Sequence, residues 1–142
     1  MTDEPYADQL PYLLAQANRH VHGDLQTMLK SKEVPVEQWR ILQVLSDGRG
    51  RSMGDLAKAV LMNHPALTKT IDRMIMRALV HRRHDPEDNR RVLVHISEFG
   101  SELVAQCEKQ IASYENALAE RLGPGNAAQL RRLLHTLVAE AS

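Results

Sequence analysis

Apolar residues recur at intervals of three and four along most of the chain, which is the period of an amphipathic α-helix. The first such run extends from Ala7 to about Lys30 and has a leucine-rich stripe. A second begins at Pro35, contains Trp39 and ends where Asp47-Gly48-Arg49-Gly50 interrupts the pattern. The chain is therefore predicted to begin with two helices.

Two helix-capping signals follow. Ser52 opens a Ser-Met-Gly-Asp sequence that has the spacing of a capping box, and the short helix after it is predicted to reach Leu61. Asn63 can cap the next helix, in which Pro65 is tolerated because the first turn needs no backbone donor there. That helix is predicted to run to about Leu79. Its predicted apolar stripe comprises Leu67, Ile71, Met74, Ile75 and Ala78. A short helix, a tight turn and a longer helix with a basic outer face indicate a helix-turn-helix.

Between residues 79 and 96 the hydrophobic period changes to two. Apolar Val92, Val94 and Ile96 alternate with Arg91, Leu93 and His95. Residues 80–84 can pair with this strand across the turn formers of residues 85–89, which predicts a hairpin with a polar tip. Ser97 then caps a long helix that extends through Leu122, and Gly123-Pro124-Gly125 separates it from a last, leucine-rich helix.

Charge is uneven along the chain, although its 18 basic residues balance its 18 acidic ones. Ten basic and five acidic residues lie between Arg49 and Arg91, so the middle of the chain carries a net charge of +5 and the two flanks together carry −5. A basic centre between acidic arms is typical of a protein that contacts phosphates with one face.

The single cysteine, Cys107, excludes an intrachain disulfide and favours a reducing compartment. The first residues carry acids where a secretory signal has lysine or arginine, and no apolar run approaches membrane-spanning length. We therefore expect a cytoplasmic protein.

The stretch from Leu79 to Gly100 resembles the wing of the MarR family of winged helix-turn-helix regulators. Asp88-Asn89-Arg90 matches the Asp-x-Arg of that wing, and Ser97-Glu98-Phe99-Gly100 is similar to the Thr-x-x-Gly that begins the following helix. Upstream, Leu56-Ala57 and residues 68–79 fit the same family. The order of elements agrees over nearly the whole chain.

Two positions depart from the family pattern. Ala78 stands where the family usually has a glycine with positive φ, and we expect the end of the recognition helix to differ locally because alanine is strained in that conformation. Ser97 replaces the more common threonine, a mild change because both hydroxyls cap a helix.

The resemblance implies a mainly α fold with a small β-hairpin wing, in a single domain of residues 1–142. Residues of about 35–97 would form the winged helix-turn-helix DNA-binding lobe. Residues of about 7–34 and 98–141 would form dimerisation helices, in a homodimer that binds a palindromic double-stranded operator. The leucine-rich terminal helices support the dimer independently, since they have more apolar surface than a small lobe needs.

The exposed N-terminal half of a recognition helix reaches base edges in the major groove. Here the candidate contacts are Asn63, His64, Thr68 and Lys69, with Arg73 placed for a phosphate. Arg90 at the wing tip is the candidate for the minor groove, because a narrow groove attracts an extended cation. Arg91 beside it is a further DNA-contact candidate, and Arg82 and Arg83 are weaker ones. For Arg82 and Arg83 the alternative is support of the wing, for example by an ion pair with Asp72; Asp88 is also expected to stabilise the wing.

Many members of the family are repressors that release DNA when a small aromatic or phenolic acid enters a cleft. The candidate ligand-binding residues are Tyr12, His20, Trp39, Arg40 and Met62, of which Arg40 or a histidine could pair with a carboxylate. Trp39 could equally be a core residue. The alternative is a regulator without a small-molecule effector, controlled by thiol oxidation at Cys107 or by its own concentration. Cys107 lies on an apolar stripe, however, and a buried cysteine usually acts only as a small hydrophobic residue.

No enzyme, metal or cofactor is expected. The sequence has no Ser/His/Asp order, phosphate loop or metal-ligand spacing. The pairs His20-x-His22 and His81-x-x-His84 are poor metal sites, because the first two point to different sides of a helix and arginines flank the second pair.

Overall fold

The structure, a computed structural model, describes residues 4–139. Within this range the helices are α1 (Leu10–Leu29), α2 (Val36–Leu45), α3 (Met53–Val60), α4 (His64–Met76), α5 (Glu98–Leu122) and α6 (Asn126–Val138). The strands are β1 (Arg51–Ser52), β2 (Val80–Asp85) and β3 (Asp88–Ile96), and short 3-10 turns at Pro5–Asp8 and Lys30–Lys32 flank α1. The predicted mainly α fold with a hairpin wing is confirmed.

The chain divides at Cys107 into two compact units. The first carries α1 to β3 and the beginning of α5, and the second carries the rest of α5 and α6. No helix within residues 4–139 is long and apolar enough to cross a membrane.

The core of the first unit is built around α2, which contacts α1, α3, α4 and β3. Fully buried side chains from these elements fill it: Leu29, Ile41, Leu42, Leu45, Leu56, Leu67, Ile71, Met74, Leu79 and Val94. Each such side chain contributes about 1.5–3 kcal/mol by leaving water. Trp39 is also buried, with 3% of its surface exposed.

Both predicted caps of the helix-turn-helix are confirmed. The Ser52 hydroxyl accepts a hydrogen bond from the Asp55 backbone N–H at 3.2 Å, and Asn63 Oδ1 accepts one from the Ala66 N–H at 2.9 Å. The predicted extent of α3 is wrong by one residue. Leu61 lies past its end with a φ of 61° and is 86% exposed, because it makes the left-handed turn that leads to α4.

The recognition helix α4 ends at Met76, earlier than predicted, and Ala78 is an exposed turn residue rather than part of the apolar stripe. We expected the end of this helix to differ from the left-handed conformation that glycine adopts at this position in the family. This expectation is also wrong, because Ala78 has a φ of 61°. Its N–H bonds to the Ile75 carbonyl and the Leu79 N–H to the Met74 carbonyl, each at 2.9 Å, in the Schellman pattern. These bonds and the burial of Leu79 offset the strain of about 1 kcal/mol in alanine.

The sheet is antiparallel, and β3 lies between β1 and β2. The predicted hairpin is confirmed, but its tip is shorter than predicted because Asp85 pairs with Asp88 and leaves only Pro86 and Glu87 between the strands. Val92, expected on the apolar side of its strand, is exposed. Strand β1 was not predicted, since two residues show no alternation.

Ser97 joins the end of α4, the base of the wing and the start of α5. Its hydroxyl lies 2.6 Å from the Ala78 carbonyl oxygen and 2.9 Å from that of Leu79, and it accepts the Gly100 N–H at 2.9 Å, which confirms it as the cap of α5. Gly100 must lack a side chain, because a Cβ there would collide with the Leu79 carbonyl oxygen.

The second unit exposes most of its apolar surface. No residue of α6, which is described in full, is buried. Leucines and a valine along it are between 37% and 72% exposed: Leu130, Leu133, Leu134, Leu137 and Val138. Such a surface is typical of a helix that packs against another chain.

We expect the substitution Ala78→Gly to raise the free energy of unfolding by about 1 kcal/mol, because glycine adopts positive φ without strain. Urea denaturation of the purified protein would measure the change. Ala112→Gly is the control, since Ala112 is exposed within α5 and glycine there should lower the free energy of unfolding by about 0.5–1 kcal/mol. Destabilisation by Ala78→Gly would contradict the strain assigned to Ala78.

Candidate nucleic-acid interface

One face of α4 is polar and open to solvent. Its opposite side is buried through Leu67, Ile71 and Met74, and this burial fixes which side of the helix faces outward. The predicted base-contacting and phosphate-contacting residues are all exposed on the outer side or at its start: Asn63, His64, Thr68, Lys69 and Arg73. The helix thus presents amide, imidazole, hydroxyl and cationic groups together.

An ion pair connects this helix to the wing. Arg82 Nη2 on β2 lies 2.9 Å from Asp72 Oδ1 on α4, so the ion pair considered from the sequence is present. Both side chains are more than a third exposed, so the pair contributes little to stability. The pair joins a residue of the wing to a residue of the recognition helix. Arg83, one residue further along β2, is exposed.

At the wing tip, aspartates organise the turn and leave an arginine projecting. Asp88 Oδ1 accepts the Arg90 backbone N–H at 3.1 Å and lies 3.2 Å from Arg90 Nε, which explains the Asp-x-Arg sequence. Asp85 accepts the Glu87 N–H at 2.9 Å and lies 3.8 Å from Arg91 Nη1. The Arg90 side chain is 92% exposed, so it can reach a partner beyond the wing.

A partly buried hydrogen bond joins the residue at the end of α4 to α2. Arg77 Nη1 donates to Gln38 Oε1 at 2.8 Å, and Gln38 is only 6% exposed although it is polar. The sequence did not predict this contact, because glutamine is usually a surface residue. Its spacing from Ile41, Leu42 and Leu45, at three, four and seven residues, is the signal that would have placed it on the buried side of α2.

A second basic element lies in the loop between α2 and β1. Asp47 accepts a hydrogen bond from Arg51 Nη2 at 2.8 Å and from the Arg49 N–H at 2.9 Å. The Arg51 hydrogen bond, followed by that from the Arg49 backbone, lowers the pKa of Asp47 to about 2. The aspartate stays ionised and orders two arginines that the sequence analysis had not singled out.

Two histidines stack on the wing. The rings of His81 on β2 and His95 on β3 are parallel, with centroids 5.8 Å apart. Burial lowers the pKa of His95 below its ordinary 6.5, and the charges of Arg83 and His81 lower it further. His84 is held apart from them by its contact with the Asn89 carbonyl. Among the described residues, no three His, Cys, Asp or Glu side chains are grouped as a metal ion would require.

An open groove of about 700 Å³ follows one face of α1. It brings together two of the predicted ligand-binding residues, Tyr12 and His20, with others that share their helical face: Gln16, Arg19, Asp24 and Thr27. These neighbours were missed, although their spacing from Tyr12 of four, seven, twelve and fifteen residues indicates the same face.

The remaining ligand candidates lie elsewhere in the first unit. Trp39 is in the core, and Arg40 and Met62 are half-buried outside the residues that line the α1 groove.

Cys107 has the environment of a core residue. It is buried, and burial raises the pKa of its thiol, an effect that the nearby charge of Lys32 only partly opposes. Oxidants react with the thiolate, so a raised pKa disfavours the reactivity that a thiol switch requires.

The helix-turn-helix, the exposed basic face of α4 and the arginine-tipped hairpin define a winged helix-turn-helix DNA-binding protein. A model of the MarR family matches residues 33–91, which span α2 to the wing tip. Over this lobe the chain matches the MarR family of transcriptional regulators, and over nearly its whole length it is similar to members of that family.

Relatives of known function or structure agree with this assignment. The homoprotocatechuate degradative operon repressor of Escherichia coli is 25% identical over 132 residues, which are 93% of this chain and 89% of that protein. The repressor CouR, solved on a 23-mer DNA duplex, shares the fold with a TM-score of 0.88 at 24% identity over 98% of this chain and 99% of CouR. NadR, solved with 4-hydroxyphenylacetate, has a TM-score of 0.79 at 25% identity over 96% and 97% of the two chains.

We expect His95 to make stability fall in mild acid. The unfolded chain takes up a proton near the ordinary pKa of 6.5, whereas the folded chain resists it until a lower pH. The free energy of unfolding should therefore be highest above that ordinary pKa and decrease as the pH falls through the interval between the two pKa values. Urea denaturation at about pH 8 and about pH 5 would measure this loss.

The matched variants are His95→Gln, which should lose less stability on acidification than the unmodified protein, and His64→Gln, which changes an exposed histidine and should behave like the unmodified protein. An identical loss in all three proteins would show that His95 is not the group responsible.

Proposed function

We propose that this protein is a cytoplasmic, homodimeric repressor that binds a palindromic DNA operator and releases it on binding a small phenolic acid. The observation that carries the DNA-binding part is the fixed arrangement of two exposed cationic elements. The Asp72–Arg82 ion pair and the Ser97 hydroxyl hold the wing against the recognition helix, while the outer face of α4 and the tip at Arg90 remain open.

In this proposal the exposed start of α4 enters the major groove. Asn63, His64, Thr68 and Lys69 lie where base edges can be read, and Arg73, one turn after Lys69, contacts a phosphate. Arg90 enters the adjacent minor groove. Of the remaining candidates, Arg83 and Arg91 add phosphate contacts, and Arg82 with Asp72 supports the wing. Asp88 orders the tip.

Dimerisation uses the leucine-rich helices at both ends of the chain. Leu10, Leu13 and Leu14 of α1 are exposed, as are the apolar residues of α6. A second copy of the chain would cover these surfaces, so that residues of about 7–34 and 98–141 form the dimer and residues of about 35–97 form the DNA-binding lobe. Recognition helices in such a dimer lie roughly 34–36 Å apart, one turn of DNA.

The groove on α1 suits a small aromatic acid. Tyr12 offers an aromatic ring and Arg19 a cation for a carboxylate, next to His20, whose Nε2 lies 3.5 Å from Asp24 Oδ2. The relatives support this ligand class: the E. coli protein is named for repression of homoprotocatechuate degradation, and NadR was solved with 4-hydroxyphenylacetate. Such a ligand would bind more tightly to the dimer with the lobe spacing of its DNA-free state than to the dimer on DNA. The difference between these two binding free energies is the amount by which the ligand weakens DNA binding.

The DNA-binding part is tested with a duplex from upstream of the coding region of this protein. We expect affinity to fall steeply with salt, by about 0.9 log units per log unit of salt for each phosphate contact. Arg90→Ala should weaken binding by about 1–3 kcal/mol with little change in the free energy of unfolding, since the ion pair of its side chain with Asp88 is exposed. Fluorescence anisotropy at two salt concentrations would measure both effects.

Lys109→Ala is the matched control, because Lys109 is an exposed cation on α5, outside the residues assigned to the DNA-binding lobe. Its affinity should equal that of the unmodified protein. Equal affinity of Arg90→Ala and the unmodified protein would refute the assignment of the wing, and binding insensitive to salt would refute the interface as a whole.

The ligand is tested with 4-hydroxyphenylacetate added to the same complex. We expect it to lower the DNA affinity, and Arg19→Gln to require about 10- to 100-fold more of it, because a charged hydrogen bond to the carboxylate is lost. DNA affinity without ligand should be unchanged in this variant, and Lys109→Gln is the control. A complex indifferent to this acid and to a panel of related aromatic acids would overturn the effector part and leave the DNA-binding part standing.

A further inference from the structure

Two exposed residues give the recognition helix an apolar strip beside its donors. Pro65 occupies the first turn of α4 and Thr68 follows three residues later, so the two share one helical face. Both are exposed. Pro65 has no backbone donor, and only its ring faces outward.

The hydroxyl of Thr68 is engaged by its own helix. Its Oγ1 donates to the His64 carbonyl at 2.9 Å, one turn back. The Oγ1 atom and the methyl group of threonine occupy different staggered positions about the Cα–Cβ bond. Because Oγ1 points to the His64 carbonyl, the methyl group faces away from that carbonyl. The group that Thr68 presents beyond the helix surface is therefore its methyl rather than a hydroxyl proton.

Asn63 is also partly engaged. Its Oδ1 is turned to the Ala66 N–H at 2.9 Å, whereas the paired recognition of adenine by asparagine needs both the oxygen and the nitrogen aimed at the base. Asn63 is therefore left with its amide N–H₂ as the group for a base, a donor that adenine N7 and thymine O4 both accept, so Asn63 alone does not distinguish the two bases of an A·T pair.

We propose that Pro65 and Thr68 read the 5-methyl group of a thymine in each half of the DNA site. This inference rests on the proposed function, since it names the base feature that the recognition helix requires. The thymine methyl is an apolar group on the major-groove edge, and the Thr68 methyl with the Pro65 ring forms the complementary apolar surface. Removal of the methyl from water accounts for the preference.

The test uses duplexes recovered by repeated binding from a random DNA library and resynthesised with deoxyuridine in place of thymidine. Deoxyuridine lacks only the methyl and pairs in the same way. We expect about a fourfold loss of affinity for each contacted methyl, hence about 15-fold for a site with two halves.

Three variants separate the methyl from the hydroxyl. Thr68→Ser keeps the hydroxyl and removes the methyl, so it should lose affinity and become less sensitive than the unmodified protein to deoxyuridine, with the Pro65 ring as the contact that remains. Thr68→Val removes the hydroxyl and keeps methyl groups, so its affinity should still fall when deoxyuridine replaces thymidine at the contacted positions. Thr70→Ser is the matched control, because Thr70 makes the same bond to the carbonyl one turn back, to Ala66 at 2.9 Å, but is half-buried.

Tight binding by Thr68→Ser with loss in Thr68→Val would show that the hydroxyl contacts the base, and would overturn the inference. Unchanged affinity for the deoxyuridine duplexes would also overturn it, while sequence-selective binding itself stands. A library that yields no enriched sequence would refute the proposed function as well, so the two failures are distinguishable.

Discussion

The hydrogen bonds of Ser97 are the constraint on which the winged lobe depends. One hydroxyl meets the carbonyls of Ala78 and Leu79 and accepts the Gly100 N–H, at a point where the recognition helix has ended, the wing begins and ends, and α5 starts. Carbonyls at a helix end and N–H groups at a helix start lack partners within their own helices. Such a group costs about 1–3 kcal/mol when it is left unpaired and shielded from water. The Leu79 carbonyl also accepts the Ser97 N–H at 3.0 Å, so the backbone and the side chain of Ser97 together join the three elements. Gly100 completes the junction because nothing larger than hydrogen fits against the Leu79 carbonyl.

The recognition helix is held from three directions, and only its outer face is free. Gln38 on α2 accepts from Arg77, Arg82 on β2 pairs with Asp72, and Ser97 closes the turn after Ala78. The exposed ion pair adds little stability, whereas the partly buried hydrogen bond from Arg77 to Gln38 gives the buried amide oxygen of Gln38 a partner. A rigidly held helix does not need to be ordered when DNA binds, so less of the binding free energy is lost.

Much of this arrangement follows from local sequence rules. Ser52, Asn63 and Ser97 were identified as caps because short hydroxyl and amide side chains satisfy helix N-termini, and the hairpin followed from the change of period at Val92 and Val94. What could not be predicted depends on tertiary contacts. Ala78 adopts a left-handed conformation because the burial of Leu79 outweighs local strain, and β1 is a strand only because β3 lies beside it. Within the candidate site, the exposed polar face could be predicted from helical spacing, whereas the role of Gln38 required knowing which helix lies opposite Arg77.

The contacts of α2 determine how a ligand on α1 could influence DNA binding. This helix contacts α1, which carries the groove, and through Gln38 it contacts the end of α4. The side chains around α2 are closely packed, and their polar groups have hydrogen-bond partners. A shift of α1 would therefore move the whole lobe as a rigid body more easily than it would deform α4. The bonds at Arg77, Asp72 and Ser97 lie within the lobe and would be unchanged by such a movement. A ligand in the groove would then alter the spacing of two intact recognition helices, and the periodicity of DNA makes affinity sensitive to that spacing.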